Sequence, residues 1–89
     1  MPYINKVDRS DFGAGLLELQ ELIRRRGISN GELNYMITTL GLMYLDRHGK
    51  SYNTISDVIK AMECAKLEFY ARVARPYEDA AKERNGDVF

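Results

Sequence analysis

A chain of 89 residues is of single-domain size, near the lower limit at which one hydrophobic core suffices. Thirteen basic residues balance thirteen acidic ones, which does not indicate a dominant nucleic-acid or anionic-membrane surface and leaves room only for a local basic patch. The single Cys64 excludes an internal disulfide, and no apolar run reaches the ~18 residues of a membrane span. With an opening segment too polar for a signal peptide, these features predict a cytoplasmic protein.

Residues 1–10 form a polar arm carrying Tyr3, Ile4 and Val7, and either Asp8 or Ser10 can cap the helix that follows. That helix runs from Phe12, with Phe12, Leu16, Leu19, Leu22 and Ile23 on one side and Gly27 as its C-terminal stop. Gly13 and Gly15 weaken its first turns by roughly 1 kcal/mol each relative to alanine. Arg24, Arg25 and Arg26 suit a helix C-terminus, where cations oppose the dipole; a phosphate-binding cluster is the alternative.

Ser29 and Glu32 have the spacing of a capping box and open a second helix. Its apolar face is Leu33, Met36, Ile37, Leu40, Met43 and Tyr44, and it ends near His48-Gly49. A third, long helix spans Thr54 to Arg84, with Thr54 and Asp57 read as its capping box. Its apolar series is Ile55, Val58, Ile59, Met62, Ala65, Phe69 and Val73, and Asn85-Gly86 stops it. Lys60–Glu63, Glu68–Arg72, Arg75–Asp79 and Glu78–Lys82 are local charge pairs. Pro76 lacks an N–H, and its ring crowds the carbonyl of Arg72, which predicts a kink or short break. A straight helix of this length reaches roughly 45 Å at ~1.5 Å per residue, longer than a domain of this size is wide.

The predicted fold is all-α: two short helices in an antiparallel hairpin, packed on a long, proline-bent third helix. One domain covers residues 1–89, with an arm at 1–10 and a tail at 85–89. Its core is expected to include Leu16, Leu19, Ile23, Leu33, Ile37, Leu40, Ile55, Ile59, Met62 and Phe69. Tyr3, Ile4, Val88 and Phe89 are apolar where tails are usually polar, so both termini are expected to dock. The long helix has a second seam of Cys64, Leu67, Ala71 and Ala74. Two short helices cannot cover both seams, so a homo-oligomer is expected, a dimer or a higher even state.

Catalysis is not expected. His48 suits a helix C-terminus and Cys64 a buried small apolar position, although Lys60 one turn earlier could activate the thiol. No nucleophile–base set, metal-ligand pattern or cofactor loop is present, so catalytic residues, metals and cofactors are all predicted absent. The stronger signal is polar and aromatic. Asn34, Tyr35 and Thr38 share one turn of the second helix; Lys66, Tyr70 and Arg72 share two turns of the third, and Tyr77 follows the proline. Tyrosine can stack on a base while Arg and Lys meet phosphate, so these residues suit a nucleotide, or equally a hydrogen-bonded interface between chains.

The chain resembles a family of small proteins widespread in bacteriophage and some prokaryotic genomes. The matching pieces are MPYI at the start, GELNYMIT at 31–38, TISDVIKAMECAKLEFYARV at 54–73, RPYED at 75–79 and NGDVF at the end. Ala71, Ala80 and Ala81 stand where the family pattern has basic residues, and Phe89 replaces a final tyrosine. In size, helical build and phage setting the family is similar to viral nucleotide sponges. That similarity implies an anti-defence protein that sequesters a cyclic di- or trinucleotide at a subunit interface without cleaving it, in the host cytoplasm if phage-encoded. Two alternatives stand beside it: a module that inhibits or adapts a host protein through the long helix, and a small enzyme.

Overall fold

The computed structural model describes residues 4–89, and the described residues are helical apart from short connections and the ends. Helix α1 is Ser10–Arg26, α2 is Asn30–His48, α3 is Tyr52–Phe69, and a π-helical turn at Tyr70–Ala74 leads directly into α4, Arg75–Asn85. The expected all-α class is correct. The chain divides into two compact units, one extending to Val58 and the other covering Ile59–Phe89.

Helix ends follow local chemistry. Ser29 Oγ accepts from the Glu32 backbone N–H at 3.1 Å while Glu32 Oε1 accepts from the Ser29 N–H at 2.8 Å, the reciprocal box expected there. Gly27, Gly49 and Gly86 close α1, α2 and α4 at φ of 74°, 86° and 89°, a region in which a side chain would be strained. Each donates its N–H back into the last turn, to Ile23, Leu45 and Lys82 respectively. Helix α1 begins at Ser10, and neither expected side chain caps it. Ser10 Oγ donates to the Val7 carbonyl, and the N-cap residue Arg9 uses its Nε on the Ile4 carbonyl.

The start of α3 corrects the expected capping box. The reciprocal pair is Ser51 and Thr54: Ser51 Oγ accepts from the Thr54 N–H at 3.2 Å, and Thr54 Oγ1 accepts from the Ser51 N–H at 2.8 Å. Asp57 lies a turn too late to cap and instead accepts from the Tyr44 hydroxyl at 3.2 Å, which ties α2 to the second turn of α3.

At Pro76 the expected disturbance takes the form of a widened turn. The Arg75 N–H reaches back five residues to the Tyr70 carbonyl, and Pro76 falls in the first turn of α4. A proline in a first turn lacks only a donor that would be unpaired anyway, whereas in a continuous α-helix its ring would strike the carbonyl four residues back. Arg75 keeps α-helical angles, φ −61° and ψ −49°, despite preceding a proline.

The expected core is not formed within one chain. None of the described residues is buried, and all ten residues assigned to the core are exposed. Helices α1 and α2 do not pack as a hairpin; among the described residues the packed pair of elements is the π turn with α4. The apolar stripes are where periodicity puts them, but an opposing surface is missing. The same holds for the termini: Ile4, Val88 and Phe89 are exposed, and Tyr3 lies outside the described residues.

Candidate functional site

The seven candidate ligand residues fall in the two units separately. In the first, Asn34 Oδ1 accepts from Thr38 Oγ1 at 3.4 Å, one turn apart on α2. Tyr35 beside them is 70% exposed, and its carbonyl accepts from Thr39 Oγ1 at 2.8 Å. This set is solvated and uncharged.

The second set is built around the π turn. Tyr70 begins it, and its hydroxyl donates to Glu78 Oε1 at 3.1 Å. That bond, then the carboxylate's charge, raises the Tyr70 phenol above its ordinary value, so at neutral pH it is a fixed neutral donor. The Arg75 guanidinium lies over the Tyr70 ring, 5.9 Å from its centre, and so occupies one face of the aromatic candidate. Arg72 Nε donates to Glu68 Oε1 at 3.0 Å, the one expected charge pair that forms as written. Lys66 is 3.7 Å from Glu63 Oε1, which displaces the expected Lys60–Glu63 pair. Lys82 turns to Asp87 at 3.9 Å, since Glu78 is taken by Tyr70. Tyr77 is 72% exposed.

Carboxylates therefore accompany the proposed phosphate-binding cations, and an anion must displace Glu63 or Glu68 to reach them. Such exposed pairs are weak, worth about 0–1 kcal/mol, so displacement is affordable to a multiply charged ligand. Arg75 and Glu78 were not identified as site residues from sequence. Their five- and eight-residue separations from Tyr70 meet across the π turn, where α-helical spacing misplaces them.

A further polar cluster joins α1 to α2. Arg26 Nη2 donates to Glu32 Oε2 at 2.6 Å and Arg26 Nη1 to the Gly27 carbonyl at 3.2 Å. Of the three arginines ending α1, this one has an ion-pair role. The bond from Arg26 and then the Ser29 N–H hold the Glu32 carboxyl down at about 2, against an ordinary 4.5. A depressed carboxyl contributes stability that is complete above about pH 4.5 and is lost as pH falls toward about 2. Glu32→Gln is therefore expected to flatten the acid limb of a melting-temperature profile over that window. An unchanged acid limb would show that Glu32 has no part in it.

His48 packs its ring against Tyr44, with centroids 4.4 Å apart, in the last turn of α2. Cys64 is half-buried and unbridged. Among the described residues no cluster of His, Cys, Asp or Glu could hold a metal ion, and no helix is long and apolar enough to cross a membrane. Among the described residues one surface groove runs along α1 beside Leu17, Glu21 and Arg25, and another lies around Arg26, Ile28 and Glu32; neither of these is lined by a candidate ligand residue.

Residues 1–88 match the profile of a family described as a domain of unknown function, DUF6899. The chain belongs to that family. No curated protein and no solved structure matches it. Since the match covers nearly the whole chain, both units and both candidate sets lie inside the family domain.

Proposed function

We propose that this DUF6899 member works by association: its fold is completed by further copies of itself, and the assembly acts by binding rather than by catalysis. The observation that carries this reading is the unburied apolar surface. Leu16, Leu40, Ile59 and Phe69 are each exposed, and no described residue is buried. A two-fold dimer or higher even state of the helices, with the apolar stripes facing one another, would cover those residues.

For what the assembly binds, the reading is sequestration of a cyclic di- or trinucleotide between chains, in the cytoplasm of a phage-infected host. Its support is the likeness in organisation to viral sponges, together with Tyr35 and Tyr77 standing exposed beside hydrogen-bonding and charged side chains. Lys66 and Arg72 would meet phosphate after releasing Glu63 and Glu68, and Tyr77 is better placed than Tyr70 to stack on a base, because Arg75 covers one face of Tyr70. The second reading, capture of a host protein by the long helix, is favoured by the same exposed apolar residues.

A thermal-shift screen with cyclic di- and trinucleotides separates the two. A stabilising nucleotide recovered intact by chromatography supports sequestration, and Arg72→Ala should then weaken its binding roughly 10- to 150-fold, as for loss of a charged hydrogen bond. No shift with any nucleotide supports protein capture, and a chemically converted nucleotide contradicts both.

A further inference from the structure

Asparagine followed by glycine occurs twice, at Asn30-Gly31 and Asn85-Gly86, and both pairs are exposed. In such a pair no side chain on the second residue hinders its backbone nitrogen from reaching the asparagine side-chain amide carbon. The two pairs sit at opposite ends of their helices. Asn85 is the last residue of α4, and the Gly86 N–H donates to the Lys82 carbonyl at 2.8 Å. Asn30 and Gly31 are the first two residues of α2, whose opening N–H groups have no acceptor within the helix. The capping box engages the N–H groups of Ser29 and Glu32, and among the described residues none accepts from that of Gly31. Attack by a backbone nitrogen also requires it to shed its proton. The positive end of the α2 dipole favours the resulting negative charge at Gly31. At Gly86 the negative end of α4 and the neighbouring Asp87 carboxylate oppose it.

We infer that Asn30 is a self-modification site, converting through a cyclic imide to isoaspartate and aspartate ahead of Asn85. The deprotonated Gly31 nitrogen bonds to Asn30 Cγ, and the side-chain nitrogen leaves as ammonia with a proton from water. Water then opens the ring. Breaking the bond from the ring nitrogen to the Asn30 backbone carbonyl carbon leaves isoaspartate; breaking the newly formed bond leaves aspartate. The net change replaces the amide nitrogen with a water oxygen, and nothing is oxidised or reduced. Ring closure takes the Asn30 backbone out of its helical angle, so it must open the Ser29–Glu32 box, and that box controls the rate. Isoaspartate adds a backbone carbon inside the box and misaligns its halves, loosening α2 just before Asn34, Tyr35 and Thr38. None of this depends on the association or ligand readings above.

The test incubates the full chain at mildly alkaline pH in water enriched in heavy oxygen, with peptide mapping by mass spectrometry over time. Label should enter the Asn30 peptide before the Asn85 peptide, with isoaspartate the larger product. Gly31→Ala should slow labelling at Asn30 severalfold and leave Asn85 unchanged. That variant keeps the fold, because Gly31 is not at positive φ and an added Cβ would meet Ser29 Oγ at an ordinary 3.8 Å. Ser29→Ala should speed labelling at Asn30 roughly 2- to 30-fold, the equivalent of losing a cap worth about 0.5–2 kcal/mol. Asn85, read in the same samples, reports general unfolding. Label appearing first at Asn85, or a Gly31→Ala rate equal to the native one, would overturn the assignment. Acceleration by Ser29→Ala at both sites alike, or at neither, would overturn control by the capping box.

Discussion

Phe69→Ala is expected to cost the assembled protein about 3–5 kcal/mol, the range for removing a large aromatic from a packed interior. In the single chain Phe69 is 65% exposed. Were it so in solution, the same substitution would fall within about ±0.5 kcal/mol, as surface changes away from structural features do. The two outcomes are far enough apart for denaturant unfolding at one fixed protein concentration to decide between them. A loss of 3–5 kcal/mol corresponds to a roughly 100- to several-thousand-fold weaker association if unfolding and dissociation are one step.

Leu40→Asp should have a larger effect still. Leu40 is 60% exposed in the centre of the α2 stripe, and an aspartate there would have to be buried unpaired when chains associate. At micromolar concentration the variant should run as a single chain. It should also lose much of its helical circular dichroism. The reason is that α1 and α2, of 17 and 19 residues, are little longer than the ~12–15 residues below which isolated helices are marginal in water, and α1 carries two glycines. A variant that remains oligomeric and as helical as the native chain would show that the α2 stripe faces solvent.

What was legible in the sequence is what depends on neighbours within a turn. Gly27, Gly49 and Gly86 stop helices because each lies at positive φ, and Ser29 with Glu32 starts one because both halves of a reciprocal bond are four residues or fewer apart. The start of α3 was placed two residues late because Thr54 has two possible partners in sequence, and the backbone chose Ser51 over Asp57. Asp57 was drawn off by Tyr44, thirteen residues away, a contact no local rule supplies. The proline's effect was legible, but its form was not. A π turn moves later residues off α-helical register relative to Tyr70, which is why Tyr70 meets Arg75 and Glu78. The expected Glu78–Lys82 pair, within α4, does not form because Glu78 accepts from Tyr70 and Lys82 reaches Asp87. Among the candidate ligand residues, Asn34 and Thr38, one turn apart on α2, lie within hydrogen-bond reach of each other. Glu68 beside Arg72 was visible as a charge pair without being weighed against a ligand, whereas Glu63, paired with Lys60 on spacing, stands beside Lys66. The core was read as internal to one chain because periodicity identifies a face that wants burial and says nothing about which chain covers it.

The most direct measurement is mass and helicity together on one dilution series of the native protein, by light scattering or sedimentation and by circular dichroism. The account predicts a mass that is an even multiple of 10.2 kDa at micromolar concentration, with mass and helical signal falling together on dilution. A 10.2 kDa species that keeps its full helical signal throughout the series would contradict it.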